Sequence, residues 1–284
     1  MVKVDLKTLT GPIGILRILE FILTCVTFSL VASVGTVNQS FWVWCMFSWC
    51  FCFAITFLIL ILELFGLNSK IPISWSDFTA AYSMLATLMV LTASIVFSVF
   101  YADLGFGEFI GASVTSFLTF ILYAIEVGFI RFKSEEISGF LSTIPGLLKV
   151  IEAFIACIIF ICLGYYINYW VYPGLQWCVA VYSICFIFAM LIIIATIGKL
   201  LTRFPAPFSK VLIVCNVLAV LMYMTAAVVW PVYSFRNNLS SSCSHSPKCP
   251  WNMLVVISFM TCLNLVAYIV DTVYSFRLQF ITQT

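Results

Sequence analysis

Charged side chains are scarce in this chain. They make up 8% of its 284 residues, and the net charge is +2. A soluble domain carries about 25% charged residues, so the composition excludes an ordinary soluble globular protein. Histidine occurs once, at His245, and the sequence lacks phosphate-binding, dinucleotide-binding, zinc-helix and kinase motifs. The basic residues are dispersed and predict no nucleic-acid surface. We therefore expect no enzyme, no metal site and no cofactor.

Long polar segments are also missing, because 64% of the residues are hydrophobic and the mean hydropathy is +1.17. About 20 apolar residues in a helix span the hydrocarbon core of a bilayer. Helices are required, because an open strand edge in lipid would leave backbone groups unpaired. The sequence therefore predicts an all-α integral membrane protein. Its eight predicted transmembrane helices lie near 14–35, 41–64, 77–99, 109–130, 145–167, 175–197, 209–231 and 251–275.

The distribution of basic residues predicts the orientation in the membrane. With the amino terminus in the cytoplasm, 11 of the 13 Lys and Arg residues fall on the cytoplasmic side, and only Arg236 and Lys248 fall outside. This bias follows the positive-inside rule and predicts that both termini are cytoplasmic. The candidate glycosylation sequons at Asn38 and Asn238 then lie in outer loops. An aromatic belt on the same side would comprise Trp42, Trp44, Trp170, Trp177, Trp230 and Trp251.

An internal repeat divides the chain in two. Residues 14–20, GILRILE, reappear as residues 146–152, GLLKVIE, and Tyr123-x-x-Glu126 reappears as Tyr268-x-x-Asp271. Each half has four predicted helices, an even number, so the halves share one orientation. We expect a first four-helix unit at 1–130, a cytoplasmic linker at 131–144 and a second unit at 145–284. The repeat does not decide whether they form one bundle or two.

Ionisable residues within the predicted spans are the first candidate site. They are Arg17, Glu20, Glu63, Glu126, Lys149, Glu152 and Asp271, all in the cytoplasmic third of their spans. Such residues are costly in lipid and are functional candidates by default. One interpretation is a proton or ion relay. We favour a structural ion-pair layer, because a basic and an acidic residue three apart on a helix are neighbours and can neutralise each other. An alternative is that Glu20 and Glu152, the acids of the first helix in each half, meet Tyr123 or Tyr268 instead.

Three further patterns lead to smaller predictions. Cys243 and Cys249 flank His245 in the last outer loop; a disulfide fits the oxidising outer side better than a three-ligand zinc site. Small residues on one face of the first helix, at Cys25, Ser29, Ala32 and Thr36, predict a packing surface inside the bundle. Pro231 is expected at a helix end.

Four stretches carry a resemblance to a known family. They are residues 25–35 (CVTFSLVASVG), 49–53 (WCFCF), 145–152 (PGLLKVIE) and 177–182 (WCVAVY). With the doubled four-helix unit, the chain resembles the myeloid-associated differentiation marker family. The resemblance implies two tandem MARVEL-type four-helix bundles in parallel orientation. It also implies a plasma-membrane location, association with cholesterol-rich ordered lipid, and partners among membrane proteins or adaptors of the cortical cytoskeleton.

These observations lead to one leading hypothesis and two rivals. The leading hypothesis is a non-enzymatic multispan organiser of ordered plasma membrane, active in membrane–cytoskeleton coupling, cell spreading and migration or membrane traffic. The first rival is a transporter or channel that uses the acidic layer on the cytoplasmic side. The second is an adhesion or junction protein, for which the outer loops, apart from 232–250, look too short.

Overall fold

The computed structural model describes residues 10–35, 40–101, 106–133, 143–165, 170–200, 208–237 and 250–281. The chain divides into two compact units, residues 1–142 (unit 1) and 143–284 (unit 2). The sequons at Asn38 and Asn238 and the cysteines Cys243 and Cys249 lie outside the described residues. The disulfide and glycosylation predictions therefore stay predictions.

Helices account for the regular structure of the described residues, and eight of them are long and apolar enough to cross a membrane. This confirms the predicted all-α, eight-span fold class. In chain order they are α1 (Pro12–Val34), α2 (Ser40–Leu64), α3 (Trp75–Tyr101), α4 (Gly107–Lys133), α5 (Ile144–Tyr165), α6 (Pro173–Ile197), α7 (Phe208–Asn237) and α8 (Pro250–Ile281). The predicted linker, 131–144, overlaps the end of α4 and the first residue of α5.

Each unit is a ring of four helices. In unit 1, α1 packs against α2 and α4, and α3 packs against the same two helices. In unit 2, α5 packs against α6 and α8, and α7 packs against the same pair. The two units therefore repeat one arrangement, as the repeated sequence predicts. Because the first and last helices of a unit are neighbours, the start of α1 lies beside the end of α4.

The interior of each unit is apolar and aromatic in one part and polar and charged in another. Away from the start of α1, unit 1 is filled by an aromatic cluster in which Trp42, Phe97 and Phe109 pack with ring centroids 5.4 to 6.0 Å apart. The matching part of unit 2 contains Tyr182 and Trp230, whose ring centroids lie 6.2 Å apart. Near the start of α1 and of α5, the interior is instead polar and charged.

Two predictions about helix α1 and helix α7 are wrong. Ser29 and Ala32 face outward, whereas Thr36 lies outside the described residues. The inward face of α1 carries polar residues that include Arg17, Glu20 and Thr24. A charged group costs far more in lipid than a small side chain gains by close packing, so the polar stripe sets the rotation of the helix. Pro231 lies inside α7. Transmembrane helices tolerate proline because neighbouring groups can satisfy the freed backbone carbonyl.

Candidate functional site: the buried charge layers

Arg17 joins three helices of unit 1. Its Nη1 donates to Glu63 Oε1 on α2 at 2.5 Å, and its Nε donates to Glu126 Oε1 on α4 at 2.6 Å. The planar guanidinium suits this arrangement, because its donors are fixed in a fork that can serve two carboxylates at once. All three side chains are buried. Removing one member of such a network leaves uncompensated charge, so the layer ties α1, α2 and α4 together.

Two further side chains donate hydrogen bonds to the carboxylates that bind Arg17. Ser83 on α3 donates its hydroxyl to Glu126 Oε2 at 2.8 Å, and the indole Nε1 of Trp75 donates to Glu63 Oε1 at 2.9 Å. Trp75 reaches Glu63 because the chain reverses directly after α2. Gly66 adopts φ 62°, a left-handed conformation that favours glycine, and a short 3-10 helix follows at Leu67–Ser69. The connection between α2 and α3 thus belongs to the site.

Glu20 is not paired with Arg17, although the two are three residues apart on α1. Its side chain is fully buried, and neither carboxylate oxygen has a hydrogen-bond partner among the described residues. It lies within electrostatic range of Arg17 and Glu126. The expected pairing along the helix is therefore wrong for unit 1, because the guanidinium reaches across the bundle to Glu63 and Glu126 instead.

Lys149 of unit 2 makes the pair that unit 1 lacks. Its Nζ donates to Glu152 Oε2, three residues along α5, at 2.6 Å, and lies 2.8 Å from Asp271 Oδ2 on α8. The ammonium also donates to Asn216 Oδ1 on α7 at 2.8 Å. Lys149 thus has two hydrogen bonds and two ion pairs, all with groups of unit 2. It also lies 4.8 Å from the centroid of the Tyr268 ring, a cation–π contact.

Substitutions at equivalent positions explain why the two layers differ. Trp44-Cys45 recurs as Trp177-Cys178, at a repeat spacing of 133. That spacing aligns Glu63 with Thr196, whose hydroxyl donates to its own helix at Ile192 O. The same spacing aligns Ser83 with Asn216, which also donates to Asp271 Oδ2 at 2.8 Å. Unit 1 thus has one more acid around its cation, and unit 2 has an amide in place of a hydroxyl.

A second polar layer lies deeper in each unit. In unit 1 the hydroxyl of Thr56 lies 2.7 Å from both Tyr82 OH and Tyr123 OH, and Tyr82 OH donates to Cys52 O at 2.8 Å. Beyond it, Trp49 Nε1 donates to Ser116 Oγ at 2.8 Å. These groups satisfy each other and the backbone, as buried polar groups must.

Unit 2 has its own version of the deeper layer. Tyr182 OH lies 2.8 Å from Thr261 Oγ1, and Asn264 donates to Tyr223 OH at 2.8 Å. Most residues of these deeper layers were not predicted from the sequence. Their helical spacing on α4 could have identified two of them. Tyr123 and Ser116 lie three and ten residues before Glu126 and therefore share its face of the helix.

The charge layers join neighbouring helices of each unit. Within the described ranges, no group of three or more His, Cys, Asp or Glu side chains could hold a metal ion. Ten cysteines are described, and all ten are free thiols. What the layers provide is charge compensation between helices of one unit. They define the class of this protein: a multispan membrane protein made of two four-helix units, each stabilised by its own buried charge layer.

Comparison with known proteins identifies the family. The membrane-associating domain called MARVEL matches residues 8–129 and 140–274. The chain is 42% identical to the myeloid-associated differentiation marker of Homo sapiens, over 97% of this chain and 90% of that protein. It is 42% identical to a myeloid-associated differentiation marker homolog of Xenopus laevis, over 97% of this chain and 95% of the homolog. The chain belongs to the myeloid-associated differentiation marker family, and its two units are MARVEL domains.

A second branch of the family is also similar. The human myeloid-associated differentiation marker-like protein 2 is 36% identical over 97% of this chain and 94% of its own length. No solved structure matches the chain significantly.

Proposed function

We propose that this protein is a non-enzymatic organiser of the plasma membrane. It would act in ordered, raft-like lipid and in coupling the membrane to the cortical cytoskeleton, with effects on cell spreading, migration or membrane traffic. Its partners would be membrane lipids, including cholesterol-rich domains, and other membrane proteins or cytoskeletal adaptors. Both termini would lie in the cytoplasm. Membership of a family built from membrane-associating domains supports this proposal.

One observation carries the proposal: each unit binds its buried cation with its own acids and exposes large apolar side chains on its outer faces. The buried cation of each unit is bound by acids of the same unit. The outward faces instead carry large apolar side chains such as Val43, Ile110, Ile187 and Val228, all more than half exposed. Association of helices in lipid rests on packing and on lipid contacts. A body with this surface is suited to lateral interaction with lipid and with other membrane helices.

The test is a comparison of membrane partitioning and cell behaviour. Fluorescently tagged protein in phase-separated plasma-membrane vesicles is expected to enrich in the ordered phase relative to an eight-span control of unrelated family. Cells that lack the protein are expected to spread more slowly, and re-expression should restore spreading. Partitioning equal to the control, together with normal spreading, would overturn the proposal.

A transporter or channel is the second candidate, and the unpaired Glu20 is the observation that favours it. An unsatisfied acid within a bundle is a feature of proton and ion pathways. The test is flux of protons or monovalent cations into proteoliposomes. Flux that disappears in Glu152→Gln or Glu20→Gln, with the protein still folded, would favour transport. Impermeable proteoliposomes would favour the organiser.

A further inference from the structure

Unit 1 contains more buried acid than its buried cation can neutralise. Glu63 and Glu126 both bind Arg17, and Glu20 is left over. Glu20 is the eighth residue after Pro12, so it lies about 12 Å along α1 from the start of the helix. An isolated ionised carboxylate buried away from water is strongly unfavourable, and such a group becomes neutral instead.

We propose that Glu20 is a proton-binding site within unit 1, with its carboxyl held as the neutral acid. The bound proton is the ligand, and it supplies the charge compensation that no side chain in the described part of the chain provides. Neither the family resemblance nor the organiser role involves this site.

The comparison with unit 2 shows why the site arises in one unit. Glu152, the counterpart of Glu20, binds Lys149 at 2.6 Å. In unit 2 the position of Glu63 is occupied by Thr196, so Lys149 has no third acid to serve. In unit 1, Glu63 on α2 accepts from Arg17 Nη1, and Glu126 on α4 accepts from Arg17 Nε. One additional carboxylate therefore displaces Glu20 from its own helix neighbour.

Among the described residues, the groups around Glu20 supply no other counter-charge. Arg17 on its own helix and Glu126 on α4 interact with it electrostatically, as do Cys52 on α2 and the hydroxyls of Tyr82 and Tyr123. Of these, only Arg17 is a cation, and its bonds go to Glu63 and Glu126. Asp77, also buried near this end, accepts from Ser74 Oγ at 2.6 Å. A proton needs only one carboxylate oxygen, whereas a metal ion needs several ligands. The described residues contain no such group of metal ligands.

Solid-state NMR of the full-length protein in lipid bilayers tests the site directly. The chain has seven glutamates, and 13C labelling at their Cδ atoms distinguishes the acid from the carboxylate by chemical shift. At neutral pH we expect a protonated-acid signal that is lost in Glu20→Gln and retained in Glu152→Gln. Assignment through the neighbouring Phe21 in the wild-type protein gives the same information without a variant. A Glu20 signal at the carboxylate position would overturn the proposal.

Two additional spectra sharpen the test. The first exchanges sodium for choline in the buffer; a Glu20 carboxylate signal that moves with sodium would mean that a metal cation occupies the site, and would overturn the proposal. The second uses Glu63→Thr, which gives unit 1 the residue of unit 2. Arg17 is then released towards Glu20, and the acid signal is expected to shift to the carboxylate position. A signal that does not shift would contradict the competition for Arg17.

Discussion

Arg17 and Glu126 are 109 positions apart in the chain, yet Arg17 Nε lies 2.6 Å from Glu126 Oε1 in the interior of unit 1. The bond joins the first and last helices of the unit, which are neighbours in the ring. A second bond to Glu63 extends the tie to α2. The repeated basic residue near the start of each unit is thus a cross-bundle anchor.

Arg17→Gln is expected to destabilise unit 1 strongly. The change leaves Glu63 and Glu126 buried without their cation, and breaking a buried ion pair in this way costs about 3–5 kcal/mol. Thermal unfolding of the purified protein in detergent measures the effect. Lys70→Gln is the control, because Lys70 is exposed on the connection between α2 and α3. Equal unfolding temperatures for the two variants would contradict the anchor role.

Substitutions in the charge layer of unit 2 are expected to have coupled, non-additive effects on stability. Lys149→Met alone leaves Glu152 and Asp271 buried without their cation and should lower the free energy of unfolding by about 3–5 kcal/mol. Adding Glu152→Gln and Asp271→Asn should recover most of that loss, since the stranded charges disappear. Lys210→Met, at an exposed position, is the control. Additive losses across the series, measured by thermal unfolding, would show that the three residues are not coupled.

The indole of Trp75 is expected to contribute through its bond to Glu63. Trp75→Phe keeps an aromatic ring beside Phe78 but removes a hydrogen bond to a charged group, worth about 1.5–3 kcal/mol. Trp177→Phe is a matched comparison, because it removes a bond to the neutral hydroxyl of Thr225, worth about 0.5–1.5 kcal/mol. Thermal unfolding should rank Trp75→Phe as the more harmful change. The reverse ranking would mean that Glu63 does not depend on Trp75.

The positive-inside pattern predicts the topology of the chain in cells. Epitope tags at either terminus should bind antibody only after the plasma membrane is permeabilised, because 11 of 13 basic residues fall on the side of the termini. A tag inserted within residues 238–249 should bind antibody on intact cells. Staining of an amino-terminal tag without permeabilisation would show that the orientation is inverted.

The fold was predictable from the sequence, but the pairing of the buried charged residues was predictable only in part. Apolar run length and repeat spacing predict the helices because lipid demands closed backbone hydrogen bonding. The i, i+3 rule correctly pairs Lys149 with Glu152 and fails for Arg17 and Glu20. Which acid a cation selects depends on residues far away in the chain. Glu63, 46 positions from Arg17, decides the outcome in unit 1, and Thr196 at its counterpart leaves Lys149 free for its helix neighbour.

We propose that the buried charges position helices and do not perform the cellular role. The most direct test is to replace the layer of unit 1 as a set, with Arg17→Met, Glu63→Gln and Glu126→Gln in one protein, and to express it in cells that lack the wild type. If the variant is folded at the plasma membrane, we expect ordered-phase enrichment and cell spreading equal to wild type. A folded variant at the cell surface that loses both would contradict it.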